Sequence, residues 1–234
     1  MDSPLVAASS EEKVAARFYD LIVASDRYHA VQWKELMARE VVALPVSGCD
    51  PDYHRAIPMS EKEKSSYESE VCFVGGLVPD RLYRERVEML ESITDLPLSI
   101  WTNDKELVLA NPKLAPHYRG SAQGLEMIKV IGASKIALNN HGCTIQNGGN
   151  MRTFEVTSIG TFQLIDRYDG SWFDEGKEIV SYSNFADLRL KISHFLDQPE
   201  KRQCIAAEGQ RRAWRQHTYQ ERMRSTLEIL AGLD

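Results

Sequence analysis

The stretch KIALNNHGCTIQNGGNMRTFEVTSIGTFQLID, residues 135–166, decides the fold. KIALNNH (135–141) is an apolar run that ends in polar residues, which predicts a buried strand. NMRTFEVTSIG (150–160) predicts a helix that ends at a glycine, as helices often do, and TFQLID (161–166) predicts another strand. A strand, a helix and a strand in this order imply parallel strands, because parallel pairing needs a crossover connection.

The same alternation continues on both sides of this stretch. Upstream lie a strand at VCFVGGL (71–77), a helix at DRLYRERVEMLESI (80–93), a strand at LPLSIWT (96–102) and a helix at SAQGLEMIKVIGAS (121–134). Downstream lie a strand at KEIVSYS (177–183), a helix at NFADLRLKISHFL (184–196) and two more helices within residues 200–231. Alternating strands and helices indicate a doubly wound α/β fold. We therefore predict a Rossmann-like lobe from Glu70 to Gln216.

A shorter series precedes this lobe. FYDLIVAS (18–25) predicts a strand, DRYHAVQWKELMA (26–38) a helix with Asp26 as its N-cap, and EVVALPV (40–46) a second strand, which make one βαβ unit. SGCDPDYHRAIP (47–58) is rich in turn formers and predicts a connection. The predicted domains are an N-terminal part (1–58), the Rossmann-like lobe (59–216) and a C-terminal helix (217–234) that packs back on the N-terminal part.

Charge and cysteine content restrict the class of protein. A net charge of −6 disfavours nucleic acid as a partner, since its binding relies on a basic surface. The 4 cysteines are scattered without a CxxC pair and predict reduced thiols in a cytoplasmic protein. The N-terminus lacks the pattern of a secretory signal, and no run approaches the roughly 18 apolar residues of a transmembrane helix.

The first place for ligand chemistry is FVGG (73–76), between a predicted strand and a predicted helix. Glycine lets a ligand approach the backbone, and a helix N-terminus offers free N–H groups and a positive dipole end. Arg81, Arg84 and Arg86 follow closely, so a phosphate would suit this place. A tight turn beside a solvated arginine face explains the same residues. GxGxxG and GxxxxGK[ST] motifs are absent, so neither an NAD fingerprint nor a P-loop is supported.

The second place is NGGNMRTFE (147–155), which also joins a strand to a helix. Two glycines lead into the helix, so backbone amides can face an anion, and Arg152 can add a forked cation for a diphosphate. Glu155 lies about one helical turn further on, where its carboxylate can accept hydrogen bonds from sugar hydroxyls. An equal alternative to ligand binding is that the two glycines form a plain loop, Asn150 caps the helix and Glu155 is a surface residue.

Other polar clusters are weaker candidates. Asp50-Pro51-Asp52 predicts a turn rather than a metal site, and Asp166 and Asp169 lie at the exit of a predicted strand. Four histidines lack ligand-type spacing and predict mixed polar surroundings rather than catalysis: His54, His117, His141 and His217. A run of arginines interleaved with Glu and Gln predicts a solvated helix face: Arg211, Arg212, Arg215, Arg222 and Arg224.

Several of these stretches together resemble the CgeB-like (spore-maturation-protein-like) glycosyltransferases, which belong with the group-one glycosyltransferases of the GT-B fold. The resemblance covers roughly residues 18–230 and is carried by VCFVGGLVPDRLYRERVEML, KIALNNH, NMRTFEVTSIGTFQLID, GKEIVSYSNFADLRLKISHFLDQPEKRQCIAAEGQ and RQHTYQERM, in that order. LPVSGCDPDYH (44–54) also resembles the hinge between the lobes of such enzymes. The implied fold is GT-B-like α/β, with a complete C-terminal Rossmann-like lobe preceded by a partial N-terminal Rossmann-like lobe.

The resemblance implies a glycosyltransferase that moves a hexosyl group from a nucleotide-sugar donor to an acceptor that the sequence does not identify. Gly75 and Gly76 would approach the diphosphate, Tyr118 would lie near the base, and Glu155 would hold the ribose hydroxyls. The implied substrate-binding residues are Gly75, Gly76, Arg84, Tyr118, Gly149, Asn150, Arg152 and Glu155. Relatives often carry a second glutamate where this chain has Asn147. The GT-B fold usually needs no metal, so neither a metal nor a cofactor is expected.

Residues 1–58 supply one βαβ unit rather than a whole lobe, so the resemblance implies an N-terminally truncated member of the family. An incomplete lobe would expose apolar surface, which predicts self-association or a partner that supplies the missing lobe. The alternative function is a non-catalytic nucleotide-sugar-binding or partner-dependent remnant of a GT-B glycosyltransferase. A third hypothesis, an unrelated Rossmann oxidoreductase, is disfavoured by the absent GxGxxG motif.

Overall fold

The computed structural model describes residues 8–25, 27–37, 41–45, 47–78, 83–141, 145, 149–168 and 170–232. The strands are β1 (Ile22–Ala24), β2 (Val41–Ala43), β3 (Ser69–Val74), β4 (Leu98–Trp101), β5 (Tyr118–Gly120), β6 (Ser134–Asn139), β7 (Phe162–Asp166) and β8 (Val180–Tyr182). The helices are α1 (Ser10–Ala15), α2 (Arg27–Met37), α3 (Glu61–Tyr67), α4 (Arg84–Glu91), α5 (Lys105–Ala110), α6 (Leu125–Gly132), α7 (Met151–Ile159), α8 (Phe185–Leu196), α9 (Pro199–Gln216) and α10 (Tyr219–Ala231).

Six parallel strands form the main sheet in the order β5-β4-β3-β6-β7-β8. Counted from β3, this is the order 3-2-1-4-5-6 of a Rossmann fold, and it reverses direction between β3 and β6. The ends of these two central strands therefore border a crevice, because their following loops leave toward opposite sides of the sheet. The predicted Rossmann-like lobe is confirmed.

Apolar side chains cover both faces of this sheet. Val71 and Phe73 of β3 face a core built with α4, α8 and α9, whereas Cys72 and Val74 face a second core built with α6 and α7. Alternate residues of one strand thus enter different cores, which explains why the strands read as continuous apolar runs. The layered arrangement holds the ends of β3 and β6 in fixed positions.

The N-terminal unit pairs β1 with β2 in parallel, with Ile22 opposite Val41, and α2 packs Trp33 fully buried against them. The predicted strand over residues 18–25 is shorter than expected, because residues 16–18 form a 3₁₀ turn. Phe18 is 80% exposed, so the first part of this run has no core to face. Asp26, the predicted N-cap of α2, lies outside the described residues.

The prediction missed the elements between β4 and α6. The structure adds α5, a 3₁₀ turn at Ala115–His117 and the edge strand β5. β5 contains only the sequence Tyr-Arg-Gly, which has no apolar alternation, and it pairs on one side with β4. The sheet therefore has one more strand at this edge than the sequence pattern indicates.

The connection after β2 meets the start of the C-terminal helix. The Cys49 amide donates to the His217 carbonyl at 2.8 Å, and the Tyr219 amide donates to the Cys49 carbonyl at 3.0 Å. The division into residues 1–58, 59–216 and 217–234 stays a prediction. Cys49 and Cys72 are buried free thiols, and burial raises the pKa of Cys72 to about 11, which keeps it protonated. In the part of the chain that the structure describes, no helix is long and apolar enough to cross a membrane.

Candidate functional site

A cavity of about 330 Å³ opens where the carboxyl ends of β3 and β6 meet the N-terminus of α7. Its lining comprises residues 73–76, 83, 86, 138–140, 150–152 and 155. In open α/β sheets, ligands bind at this reversal of strand order, outside the carboxyl ends of the strands. Both stretches that the sequence analysis selected for ligand chemistry therefore contribute to one cavity.

The glycine loop after β3 is held by the neighbouring loop after β4. The Gly75 amide donates to the Trp101 carbonyl at 3.1 Å, and the Leu77 amide donates to Asp104 Oδ2 at 2.6 Å. A Cβ atom placed on Gly76 would have Asp104 Oδ2 as its nearest neighbour, at 3.7 Å. Among the described residues, nothing lies closer than this to a Cβ at position 76, so the bare backbone there leaves space for a ligand.

Arg86 of α4 spans the two strand ends. Its Nε and Nη2 donate to the Asn140 carbonyl at 3.0 and 2.8 Å, and its Nη1 donates to the Gly76 carbonyl at 2.9 Å. Its guanidinium also lies 4.0 Å from the centre of the Tyr83 ring. Burial lowers the pKa of Arg86, but an arginine stays charged at neutral pH. These hydrogen bonds go to carbonyl oxygens and leave a positive charge at the cavity.

Arg84 was predicted to bind the substrate, but Arg86 rather than Arg84 lines the cavity. Arg84 is exposed, does not line the cavity, and forms an ion pair with Glu88 at 3.2 Å. Residues 84 and 86 point about 200° apart around the helix. Arg86 precedes the buried residues Met89 and Leu90 by three and four positions, so it shares their inward face. The position of Arg86 relative to the buried face of the helix was the sequence signal that would have identified it. Arg81 lies outside the described residues.

Asn150 is the N-cap of α7, and its side-chain amide already forms hydrogen bonds within the protein. Its Oδ1 accepts the Thr153 amide at 3.0 Å, as an N-cap does. Asn150 and Asn139 also exchange hydrogen bonds between their side-chain amides, at 2.8 and 3.0 Å. Asn150 lines the cavity as expected, but its side chain fixes the helix end rather than offering a free contact. Asn139, which the sequence analysis did not select, ties this cap to the end of β6.

Gly149, which was predicted to contact the substrate, does not line the cavity. Its amide donates to His141 Nε2 at 3.1 Å, so it is not free for a phosphate. Its φ of 124° and the approach of Trp172 Nε1 to 2.9 Å from a built Cβ position both require glycine here. Gly149 thus shapes the entry into α7. Asn147 and Gly148 lie outside the described residues.

Arg152 and Glu155 lie together one turn into α7. Arg152 Nη1 donates to Glu155 Oε2 at 2.6 Å, and the two side chains are 23% and 11% exposed. His54 Nε2 lies 3.7 Å from the other carboxylate oxygen, Glu155 Oε1. The structure therefore places Arg152 and Glu155 at the cavity as expected, and it shows that Glu155 is buried rather than on the surface.

Tyr118 lies away from the cavity, on the edge strand β5, half-buried against the core. A second cavity of about 290 Å³ adjoins the first and shares Gly75, Gly76 and Arg152 with it. Its wall includes Trp101, whose buried indole Nε1 has no hydrogen-bond partner among the described residues. Trp101, unlike Tyr118, is one of the aromatic residues next to the glycine loop.

Asp166, at the end of β7, accepts hydrogen bonds from the two residues that directly follow β6. Its Oδ1 accepts the amide and the ring Nδ1–H of His141, both at 2.7 Å, and its Oδ2 accepts Asn140 Nδ2 at 3.1 Å. Burial raises the pKa of the neighbouring Tyr182 far above its usual value. Asp166 is therefore engaged in the fold, while Asp169 lies outside the described residues. Asp50 accepts the Asp52 amide at 3.0 Å, which confirms a turn there.

Arg222 contradicts the predicted solvated arginine face. Its guanidinium stacks 5.2 Å from the Phe154 ring centre and 5.8 Å from the Trp172 ring centre, and it donates to His217 Nδ1 at 2.8 Å. Burial lowers its pKa to about 10. The aromatic residues come from distant parts of the chain, so a local charge pattern gives no sign of this packing.

Comparison with known proteins identifies the family of this chain. A sequence model of the family described as "Glycosyl transferase-like" matches residues 84–228. Spore protein CgeB of Bacillus subtilis (strain 168) is 27% identical over 210 residues, which cover 80% of this chain and 61% of CgeB. The chain therefore spans about 61% of the length of this curated relative.

Solved structures share the fold at low sequence identity. Anabaena Alr3699/HepE in complex with UDP has a TM-score of 0.72 and 13% identity, over 99% of this chain and 70% of that chain. The same protein with UDP-glucose has a TM-score of 0.69 and 13% identity, over 94% of this chain and 65% of that chain. The GT-B-like fold and the CgeB-like resemblance are confirmed. The chain belongs to the glycosyltransferase-like family.

Proposed function

We propose that this chain binds a nucleotide-sugar donor at the crevice between β3 and β6 and transfers its hexosyl group without a metal ion. The observation that carries the proposal is the convergence of Arg86, Arg152 and the N-terminus of α7 on the glycine loop. Two cations and the positive dipole end of a helix favour a group with concentrated negative charge. A diphosphate fits that description.

The donor lies across both cavities in this proposal. Its diphosphate lies beside Gly75 and Gly76, and its base enters the second cavity, next to Trp101. Glu155 accepts hydrogen bonds from ribose hydroxyls, because each carboxylate oxygen keeps acceptor capacity beyond its present partner. Arg152 spends one N–H on Glu155 and retains others for phosphate oxygens. UDP and UDP-glucose, named as ligands of Alr3699/HepE, support uridine nucleotides as the first probes.

Catalysis in this proposal rests on stabilisation of the leaving group. When the glycosidic bond breaks, negative charge develops on the nucleoside diphosphate. Arg86, Arg152 and the first amides of α7 are already oriented around that position, so they neutralise the charge with little reorganisation. By analogy with oxyanion holes, the loss of one such donor costs about 10²–10³ in rate. The two arginines supply the charge that a metal ion supplies elsewhere, so we propose that a chelator leaves the rate unchanged.

The alternative is a chain that binds the donor without turnover, or that needs a partner for the acceptor side. The strands described before the connection are β1 and β2 of the N-terminal unit. Exposed apolar side chains on this unit, such as Phe18 and Val31, support self-association or a partner. A monodisperse monomer in light scattering would argue against that association.

One experiment separates the two functions. UDP-glucose is incubated with the chain, with and without EDTA, and the release of UDP is measured. We expect UDP release that persists with EDTA and that is lost in Glu155→Ala. Binding of UDP-glucose in calorimetry without any UDP release supports the non-catalytic alternative. The absence of binding to UDP, GDP, dTDP and their sugars contradicts both functions.

A further inference from the structure

We propose that His54, on the connection before α3, is the positioning residue of Glu155. The inference rests on the proposed function and deepens it, because it states what holds the carboxylate toward the nucleotide. His54 and Glu155 are far apart in the chain, yet their side chains are 9% and 11% exposed and lie 3.7 Å apart. The contact joins the connection to the ligand-binding helix.

The imidazole of His54 is fixed in one orientation. The Asp50 amide donates to His54 Nδ1 at 3.0 Å, and the His54 amide donates to the Asp50 carbonyl at 2.6 Å. Because Nδ1 accepts a hydrogen bond, we assign the ring proton of the neutral form to Nε2. Nε2 is the nitrogen that faces Glu155 Oε1, so its N–H points toward the carboxylate.

The backbone of the connection is anchored to the same helix. Ser158, one turn beyond Glu155 on α7, donates its hydroxyl to the His54 carbonyl at 2.7 Å. The Tyr53 ring meets the His54 ring edge-on, with centres 5.1 Å apart. These contacts leave His54 little freedom to move relative to α7.

Each oxygen of the Glu155 carboxylate therefore has a different neighbouring side chain. Arg152 hydrogen-bonds Oε2 from within the helix, and His54 faces Oε1 from the connection. Without His54, the carboxylate would keep its hydrogen bond to Arg152 but could rotate about that hydrogen bond. Ligands that need the carboxylate, such as a nucleoside diphosphate, then bind less tightly. Ligands that need only the arginines and the helix end, such as pyrophosphate, do not.

Two substitutions separate positioning from support of the turn. In His54→Asn, the amide oxygen can still accept the Asp50 amide, but the group that faces Glu155 is removed. In His54→Gln, the longer side chain places an N–H near the position of Nε2. Calorimetry measures the Kd of UDP and of pyrophosphate for each variant.

We expect His54→Asn to weaken UDP binding about fivefold to tenfold, because the carboxylate loses the neighbour that lies 3.7 Å from Oε1 and restricts its orientation. Pyrophosphate affinity should stay within about twofold, and His54→Gln should restore most of the UDP affinity. Unchanged UDP affinity in His54→Asn overturns the inference. So does an equal loss of UDP and pyrophosphate affinity, which indicates a general structural defect.

A measurement without nucleotide distinguishes this inference from the proposed function. Nitrogen NMR of the imidazole in the full chain reports which ring nitrogen carries the proton. We expect the Nε2–H form of His54, with a resonance that shifts in Glu155→Gln. An Nδ1–H form, or a resonance that Glu155→Gln leaves unmoved, overturns the positioning role. If the NMR result is as expected but wild-type protein binds no UDP, the proposed function is the part that fails.

Discussion

Arg86 donates two hydrogen bonds to the carbonyl of Asn140, at 3.0 and 2.8 Å, across the point where the strand order of the sheet reverses. A third hydrogen bond reaches the Gly76 carbonyl at 2.9 Å. One side chain thus joins the loops after both central strands. The same guanidinium brings a positive charge to the cavity between them, so the architecture and the charge of the cavity depend on the same residue.

Gly76→Ala should weaken UDP binding by at least about tenfold without lowering stability. Among the described residues, the added methyl group would have Asp104 Oδ2 as its nearest neighbour, at 3.7 Å, so we expect the fold to accept it. The methyl group would occupy the wall that a diphosphate approaches. Calorimetry gives the affinity and thermal unfolding gives the stability. An alanine variant that binds UDP as tightly as wild-type protein would remove the glycine loop from the proposed site.

Asn150→Ala should lower the free energy of unfolding by about 1–2 kcal/mol, because α7 loses its N-cap and the cap loses its bond to Asn139. UDP affinity should fall as well, since the helix end frays. Ser60→Ala removes an equivalent cap from the outlying helix α3 and is the matched control. Ser60→Ala should lower the free energy of unfolding by a similar amount and leave the affinity for UDP unchanged. Equal loss of UDP affinity in both variants would count against a specific role for the α7 terminus.

Gly209→Ala should destabilise the fold by more than about 2 kcal/mol. A Cβ atom at Gly209 of α9 would lie 2.3 Å from the Glu178 carbonyl oxygen, a contact that requires backbone movement. Gly132→Ala is the matched control, because its Cβ meets Ile159 at an ordinary 3.5 Å and alanine has the higher helix propensity. It should be neutral or stabilising in chemical denaturation. Similar midpoints for the two variants would show that α9 packs differently.

Stability should fall as the pH is lowered from about 6.5 to about 4. Burial, and then the charge of Arg222, lowers the pKa of His217 from 6.5 to about 4. Within this window the unfolded chain takes up a proton that folded His217 does not, so protonation favours unfolding. The shift corresponds to a loss on the order of 2–3 kcal/mol. Chemical denaturation at several pH values measures it.

His217→Gln removes the titrating group and should flatten this part of the pH profile, since Gln can still donate to the Trp172 carbonyl that accepts His217 Nε2–H. His194→Gln, at an exposed position on α8, is the control and should keep the wild-type slope. A wild-type slope in His217→Gln would assign the acid sensitivity to other groups.

The strands were predictable because both faces of the sheet are buried. Val71 and Cys72 enter different cores, so the run stays apolar and is visible in the sequence. The edge strand β5 was not predictable, since a three-residue strand with one paired edge needs no apolar pattern. Phe18 is an error in the opposite direction, because phenylalanine favours strands but this side chain is 80% exposed and belongs to a 3₁₀ turn.

The site was predictable in position but less so in its contacts. Local sequence patterns indicate where strands end and helices begin, and the cavity residues Gly75, Gly76, Arg152 and Glu155 lie at such places. The choice between Arg84 and Arg86 depends on helix phase relative to the buried face. The contact of His54 with Glu155 depends on tertiary packing that no local pattern records.

The most direct test of the central claim is the affinity of UDP for Arg86→Gln, with the exposed Arg84→Gln as control on the same helix. Thermal unfolding of both variants confirms that they are folded. We expect Arg86→Gln to weaken UDP binding by about tenfold to a hundredfold, as the loss of a charged hydrogen-bonding partner does. Arg84→Gln should bind UDP within about twofold of wild type. Wild-type affinity in folded Arg86→Gln, or equal losses in the two variants, would contradict a nucleotide-sugar site between β3 and β6.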